Sequence, residues 1–227
     1  NDTLDEAFTV AHEMGHAVHS YYTDSNQNFR NSDYPTFLAE VASTTNEFLM
    51  LDYMMKRAKS NEEKLYLINS MIENIRGSVY TQIMYAEFEK IIHEKVEAGE
   101  ALSADSMSEI WGSLMQKYYG EDFEVDPLVT LWWSRIPHFY MNFYVYNYAT
   151  GIAAAYPLSQ GILKGEKGAL EKYIGFLKAG DSDYPVEILK RAGVDMTSTK
   201  PVDDLLSLFN QLVEQMEQIL REEGKIK

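Results

Sequence analysis

The sequence predicts an all-α protein, and two features of its pattern indicate that fold class. Apolar residues recur three or four positions apart along most of the chain, beginning with Leu4, Phe8, Ala11 and Gly15. This spacing places side chains on one face of an α-helix, whereas the strict alternation that marks a half-buried strand is almost missing. The chain shows no internal repeat, no low-complexity tract and no convincing linker, so we expect one helical domain over residues 1–227.

The first two helices follow from caps and breakers. A helix is predicted over residues 4–22, with Asp2 or Thr3 as its N-cap. Residues 23–35 are polar and end on a proline, so they predict a loop of about a dozen residues, long enough to suggest a functional role. A second helix is predicted over about residues 36–59.

The middle of the chain carries two further helical patterns. A long helix is predicted over about residues 61–98 and ends at Gly99, because glycine readily adopts the left-handed conformation that closes a helix. Ser103 or Asp105 can cap the next helix, which is predicted to end near Tyr119.

The last third begins with a strong helix-start signal and continues in shorter pieces. Asp126 followed by Pro127 is an N-cap with proline at the first helical position. Pro137 interrupts this helix, and a tyrosine-rich helix is predicted to follow as far as about Tyr156. Shorter helices separated by glycine and Asp-Ser-Asp turns are predicted over residues 158–163, 168–179, 185–192 and 200–223.

Composition excludes several classes of protein. With 35 acidic and 20 basic residues the formal charge is −15, and a nucleic-acid partner is not expected because phosphate neutralisation needs clusters of Lys and Arg. The absence of cysteine excludes a disulfide scaffold, a cysteine nucleophile and any cysteine-ligated zinc. No stretch approaches the roughly 18 apolar residues of a membrane span, and no signal peptide is visible. These features fit a cytoplasmic protein.

One motif predicts a metal site: residues 12–16 read His12-Glu13-Met14-Gly15-His16 within a helical pattern. Positions i and i+4 lie one turn apart on a helix, so both imidazoles can bind one ion at about 2.0–2.1 Å. Glu13 points about 100° around the helix and can reach the open side of the ion. Zinc lowers the pKa of water towards about 7, and a carboxylate can take its proton as it attacks a carbonyl. The alternative, a chance pair of histidines, is weak because three specified residues keep fixed spacing in the right secondary structure.

A catalytic zinc needs a third protein ligand and an open position. His19 lies on the face of His12, but about 10 Å along the axis, which is too far for one straight helix. Glu40 lies in the second helix, which the loop allows to pack antiparallel to the first. Two histidines and one glutamate are the ligands of helical zinc proteases, so we predict Glu40. Glu47, two turns further on, either accepts an N–H from a ligating histidine or is a solvated carboxylate.

A bundle with two iron or manganese ions is the rival metal site. Such a bundle takes a Glu-x-x-His pair from each of two helices. Glu13 and His16 supply one pair, and no other histidine has a glutamate three residues before it. This alternative is therefore rejected.

A histidine and a run of tyrosines after Pro137 form the next unusual segment. Acyl transfer needs hydrogen-bond donors aimed at a developing oxyanion, and His138 with tyrosine hydroxyls can supply them. Tyr144, Tyr148 and Gly151 share one face if the helix is regular, and Gly151 leaves room for a substrate backbone. On spacing alone, however, an aromatic core stripe is favoured.

Three segments together carry a resemblance to a known family. Residues 12–20 (HEMGHAVHS), residues 37–43 (FLAEVAS) and residues 137–151 resemble the oligoendopeptidase F group of M3 metallopeptidases, which are relatives of thimet oligopeptidase. The resemblance covers essentially the whole chain, with the motifs in the right order. It implies a zinc-dependent, all-helical, zincin-type catalytic domain of a usually cytoplasmic bacterial enzyme that cuts short peptides and spares folded proteins.

The resemblance also implies roles for individual residues. It implies one Zn²⁺ ion bound by His12, His16 and Glu40, with Glu13 as the general base. It further implies that a later histidine and nearby tyrosines bind and polarise the substrate. These map onto His138, Tyr144 and Tyr148, the tyrosines being chosen over Tyr146 by helical geometry.

The chain departs from the family in length. Family members carry a substantial helical region before the zinc helix, which forms the other wall of a deep channel, whereas this chain begins about ten residues before His12. We therefore expect the catalytic C-terminal portion of a longer enzyme, with the N-terminal region as a further partner besides short peptides. The alternative is a catalytically incomplete helical fragment that binds zinc or peptide.

Overall fold

The computed structural model describes residues 4–226, so the predicted N-cap at Asp2 or Thr3 lies outside the described residues. These residues form nine α-helices and no β-strand, which confirms the all-α prediction. The helices are α1 (Leu4–Asn26), α2 (Thr36–Met55), α3 (Asn61–Ile75), α4 (Gln82–Glu97), α5 (Ala104–Tyr119), α6 (Tyr146–Leu163), α7 (Ala169–Leu177), α8 (Pro185–Ala192) and α9 (Lys200–Glu222). No helix among them has the length and apolar character of a membrane span.

Shorter helical turns join some of these elements. A π-helix, Arg76–Thr81, links α3 to α4, so the long helix predicted over residues 61–98 is continuous but locally widened. Three 3₁₀ helices complete the described chain: Phe29–Asn31, Val129–Arg135 and Pro137–Met141. The helix predicted to start at Asp126 and Pro127 is thus a 3₁₀ helix that begins later, at Val129, with Leu128 as its N-cap; it is interrupted at Pro137 as expected.

The chain forms two compact units. The first contains residues 4–75 and 150–226, and its core is built by apolar faces of α2, α6, α7 and α8. Members of that core are Leu38, Val41, Ala42, Ala154, Leu158, Phe176, Leu177, Ile188 and Leu189, each at most 5% exposed. The boundary with the second unit falls within α6, at Thr150.

The second unit is Arg76–Ala149. Its core lies where α4 and α5 pack together, around the fully buried ring of Trp111. Phe88 meets that ring edge-on with 5.2 Å between ring centroids. The indole N–H of Trp133 donates to the Ser108 hydroxyl at 3.1 Å, which ties the 3₁₀ helix Val129–Arg135 to α5.

The start of α5 and the end of α1 lie close to their predicted positions. Ser103 is the N-cap of α5, as one of the two alternatives predicted, and it forms a capping box with Ser106. The loop predicted over residues 23–35 begins later, because α1 continues to Asn26. The buried hydroxyl of Thr23 donates to the carbonyl of Leu177 at 2.9 Å, which anchors the last turn of α1 on α7.

The tyrosine-rich helix differs from the prediction at both ends. Asn142 and Phe143 adopt left-handed backbone, with φ of +38° and +58°, so α6 begins only at Tyr146. At the other end Pro157 lies inside α6, which continues to Leu163 instead of ending near Tyr156. Tyr144 therefore precedes the helix in which it was predicted.

Candidate metal centre and catalytic residues

The H-E-x-x-H motif lies on α1 where this helix packs closely on α2. Gly15 is buried at the crossing, and a Cβ atom at this position would lie 2.4 Å from Cα of Ser43. The Asn46 amide donates to the Ala11 carbonyl at 3.2 Å. Ala11 contacts Asn46, whereas Gly15, further along α1, contacts Ser43, which comes earlier on α2. The two helices are therefore antiparallel. Glycine thus allows a helix approach that a larger residue would prevent.

This crossing brings three potential ligand atoms together. Nε2 of His12 lies 3.2 Å from Nε2 of His16, and Oε2 of Glu40 lies 3.4 and 3.8 Å from these two atoms. Tetrahedral zinc with ligands at about 2.0–2.1 Å separates neighbouring donor atoms by roughly 3.3–3.4 Å. The three atoms therefore lie at the corners that one tetrahedral ion requires. Among the described residues, this is the one His/Asp/Glu group of three that could hold a metal ion.

The side chains of His12, His16 and Glu40 are partly accessible, which bears on whether the fourth coordination position of an ion would be open to solvent. The side chains of His12 and His16 are 26% and 27% exposed, and that of Glu40 is 15% exposed. A catalytic zinc site keeps one position open for water or substrate, whereas a structural site is closed by four protein ligands. The exposure and the number of donors both fit the open type.

Two neighbours hold Glu40 in place. The Ser43 hydroxyl lies 3.4 Å from Oε2 and 3.0 Å from the Glu40 carbonyl oxygen, one turn away on α2. Gly151 of α6 faces Glu40, because a Cβ atom on this glycine would lie 2.8 Å from Glu40 Cβ. The room predicted at Gly151 for a substrate backbone is thus occupied by the packing of α6 against Glu40.

Glu47 orients the first histidine. Its Oε1 lies 2.5 Å from Nδ1 of His12, and its Oε2 accepts a hydrogen bond from the Asn74 amide at 2.6 Å. Glu47 is buried, so the alternative of a solvated carboxylate does not hold. The hydrogen bond with Glu47 raises the pKa of His12 above its ordinary value, although burial acts in the opposite direction. A proton held on Nδ1 leaves the lone pair of Nε2 for a metal ion.

Asn74 is a residue that the sequence reasoning missed. It lies on α3, 27 residues after Glu47, and it fixes the carboxylate that in turn orients His12. No local pattern marks it, because the contact depends on the packing of α3 against α2. Glu13, by contrast, lies on the exposed side of α1, next to His12.

His19 is not part of the donor group. Its ring is fully buried, stacked on Tyr34 at 3.8 Å between centroids and tilted against Phe176 at 5.0 Å. Neither ring nitrogen has a hydrogen-bond partner among the described residues. Burial lowers the pKa of His19 to about 3, so the imidazole is neutral at ordinary pH. His19 acts as a core residue.

In the second unit, the predicted histidine and tyrosines form a cluster. Nε2 of His138 lies 3.4 Å from the Tyr148 hydroxyl oxygen, and the rings of His138 and Tyr144 have centroids 5.6 Å apart. The two tyrosine rings meet edge-to-face at 5.5 Å. Tyr140 is 91% exposed and Tyr146 is 39% exposed. Tyr144 and Tyr148 are thus the tyrosines beside His138, although a shared helical face is not the reason.

Known proteins match this chain over nearly its whole length. The model of peptidase family M3 matches residues 3–208. The oligopeptidase PepF of Bacillus subtilis (strain 168) is 46% identical over 220 residues, covering 97% of this chain and 33% of the relative. An oligoendopeptidase F homolog of Lactococcus lactis subsp. lactis (strain IL1403) is 43% identical over 219 residues, covering 96% of this chain and 36% of the relative.

A solved structure agrees with these matches. The crystal structure of oligoendopeptidase-F from Enterococcus faecium superposes with a TM-score of 0.85 at 43% identity, covering 96% of this chain and 40% of that one. This chain spans about a third of the length of the curated relatives, which are 33% and 36% covered. The resemblance found in the three motifs is thereby confirmed. Because the family model matches most of its residues, this chain belongs to peptidase family M3.

Proposed function

We propose that this chain carries the zinc centre and catalytic residues of an endopeptidase that hydrolyses short oligopeptides. The observation that carries the proposal is the triangle of His12, His16 and Glu40, whose donor atoms have the separations of a tetrahedral site. The names of the relatives, oligopeptidase PepF and oligoendopeptidase F homolog, support an oligopeptide as the substrate class.

In this proposal the three ligands would hold one zinc ion, which when bound acts as a Lewis acid and makes water a stronger acid. Glu13 is the base: its exposed carboxylate adjoins a ligand and accepts the proton of the water that attacks the peptide carbonyl. The same carboxyl group then gives the proton to the leaving amine, which prevents the peptide bond from re-forming.

We assign the binding of the peptide to the cluster in the second unit. The His138 ring and the hydroxyls of Tyr144 and Tyr148 are hydrogen-bond donors, and donors directed at a developing oxyanion stabilise the transition state more than the ground state. Their mutual contacts support this assignment, because one group limits the freedom of the next.

The test of the mechanism is Glu13→Gln. This variant keeps the shape of the side chain but cannot accept a proton, so we expect hydrolysis of a short quenched peptide to fall at least about 100-fold while zinc remains bound. Glu214→Gln, which changes an exposed glutamate of α9, is the matched control and keeps the wild-type rate. Retained hydrolysis by zinc-loaded Glu13→Gln would refute Glu13 as the base.

A second candidate function follows from the length of the match. Because the chain covers 33% of one relative and 36% of another, it can retain zinc and peptide binding without the turnover of a whole enzyme. Full zinc occupancy together with peptide binding and no cleavage would favour this alternative. Cleavage by the chain alone would exclude it.

A further inference from the structure

A buried glutamate of α4 lies beneath the turn that precedes the tyrosines. Glu89 is 1% exposed and is one of the three buried residues of α4, with Met84 and Phe88. Its Oε1 accepts the backbone N–H of Phe143 at 2.6 Å. Its Oε2 is buried without a hydrogen-bond partner within the described part of the chain. A buried carboxyl group is costly, so its one strong hydrogen bond calls for an explanation.

The turn that Glu89 contacts has unusual backbone geometry. Asn142 and Phe143 are the two non-glycine residues with positive φ in the described chain. Left-handed backbone is rare for a bulky residue such as phenylalanine, and it persists only where the surroundings hold it. Besides Glu89, the ring of His93 contacts the Phe143 ring at 4.7 Å between centroids, from the next turn of α4. Two α4 residues thus hold Phe143.

The turn lies between the groups of the aromatic cluster. His138 is on the 3₁₀ helix Pro137–Met141, immediately before the turn, while Tyr144 follows it and Tyr148 lies in the first turn of α6. Residues 142–143 therefore lie in the stretch of chain that joins His138 to Tyr144 and Tyr148. The Tyr148 hydroxyl lies 3.4 Å from Nε2 of His138, so the turn joins groups that are close in space.

We propose that Glu89 is a positioning residue: by accepting the Phe143 N–H it holds the left-handed turn, and so aims His138, Tyr144 and Tyr148 for peptide binding. The assignment of the cluster to peptide binding rests on the proposed function. The positioning itself does not, because it concerns contacts within residues 76–149. Glu89 does not touch the substrate in this proposal.

Three variants separate the hydrogen bond from the bulk and charge of the side chain. Glu89→Gln keeps a carbonyl oxygen for the Phe143 N–H, whereas Glu89→Met keeps an unbranched chain of similar length without an oxygen. Glu89→Asp keeps the carboxyl group but moves it one methylene back, away from the Phe143 N–H. This variant replaces Glu89→Met in the experiments if Glu89→Met does not fold. Glu97→Met, at an exposed position of the same helix, is the matched control.

The first readout is independent of peptide and metal. Amide hydrogen exchange at Phe143 and the ring signals of His138 and Tyr148 are followed by NMR. We expect Glu89→Met to accelerate exchange at Phe143 at least about tenfold and to shift both ring signals, with Glu89→Gln and Glu97→Met close to wild type. We expect Glu89→Asp to change the exchange at Phe143 and both ring signals in the same direction as Glu89→Met. Unchanged exchange and unchanged ring signals in Glu89→Met or Glu89→Asp would overturn the proposal.

The second readout is the affinity of a short labelled peptide for the zinc-loaded Glu13→Gln protein, which cannot cleave it. We expect Glu89→Met in this background to raise Kd about tenfold and Glu89→Gln to leave it within about twofold. Equal losses of peptide affinity in Glu89→Gln and Glu89→Met would show that the hydrogen bond to the Phe143 N–H is not the cause of the weaker binding. If ring signals shift but peptide affinity does not change, positioning stands and the proposed role of the cluster in binding fails.

Discussion

Nδ1 of His12 lies 2.5 Å from Oε1 of Glu47, and this contact determines which nitrogen of the imidazole faces the other two donors. With the proton on Nδ1, Nε2 carries the lone pair that points towards Nε2 of His16 and Oε2 of Glu40. The Asn74 amide holds the other oxygen of Glu47. The contacts that orient the His12 ring therefore run from Asn74 on α3 through Glu47 on α2 to His12 on α1.

The first prediction concerns Glu47. Glu47→Leu removes the acceptor of the His12 Nδ1 proton, and loss of such a partner costs about 10- to 100-fold in metal affinity. We expect zinc Kd, measured by competition with a chromogenic chelator, to rise by that factor. Glu63→Leu, an exposed glutamate of α3, is the control. An unchanged zinc Kd in Glu47→Leu would contradict an orienting role.

The second prediction concerns the helix crossing. Gly15→Ala places a methyl group 2.4 Å from Cα of Ser43, so α1 and α2 must separate. We expect the free energy of unfolding, measured in urea, to fall by about 1–3 kcal/mol. We also expect weaker zinc binding, because the ligands lie on both helices. Gly175→Ala is the control: its Cβ meets nothing within 4 Å, and alanine there favours the helix.

The third prediction is the pH dependence that His19 imposes on stability. Its pKa is about 3 in the folded protein and about 6.5 in the unfolded chain, so the unfolded chain binds more protons below pH 6.5. Stability is therefore lost as pH falls from 6.5 towards 3. At pH 5 the loss through this residue amounts to about 2 kcal/mol.

His19→Phe keeps an aromatic ring on Tyr34 and removes the titrating group. We expect urea unfolding of the metal-free protein between pH 7.5 and pH 5 to show a smaller loss of stability in this variant than in wild type, by the same amount of about 2 kcal/mol. Chelator is present throughout, so that zinc release does not contribute. Equal losses in the two proteins would show that His19 is not the acid-sensitive group.

The fourth prediction concerns the tyrosine hydroxyls. Tyr148→Phe removes the hydroxyl that lies 3.4 Å from His138, and we expect kcat/KM on a short peptide to fall by about 100-fold, as for the loss of an oxyanion donor. Tyr140→Phe is the control, because Tyr140 is 91% exposed and outside the cluster. A Tyr148→Phe enzyme as active as Tyr140→Phe would remove Tyr148 from the reaction.

Much of the fold follows from the sequence because helical periodicity and caps are local signals. Ser103 caps α5 and glycine ends α4, as their sequence neighbourhoods indicate. The grouping of His12, His16 and Glu40 was also predictable, because two histidines one turn apart suggest a metal site that needs a third ligand, and Glu40 lies on the next helix. The closeness of those two helices at Gly15 and Ser43, by contrast, is a tertiary feature that no local signal gives.

What the sequence could not predict depends on distant contacts. Asn74 reaches Glu47 across 27 residues, and Glu89 reaches Phe143 across 54. The start of α6 was predicted too early for the same reason. Asparagine accepts positive φ more readily than most residues, but no local signal marks Phe143, whose N–H is accepted by Glu89 of α4.

The central claim is that His12, His16 and Glu40 hold one zinc ion. Zinc content per chain, measured by elemental analysis after gel filtration of zinc-loaded protein, tests it most directly when Glu40→Ala is compared with wild type and with Glu63→Ala. We predict about one ion per chain in wild type and Glu63→Ala, and a loss of nearly all of it in Glu40→Ala. A full complement of zinc in Glu40→Ala would contradict the claim.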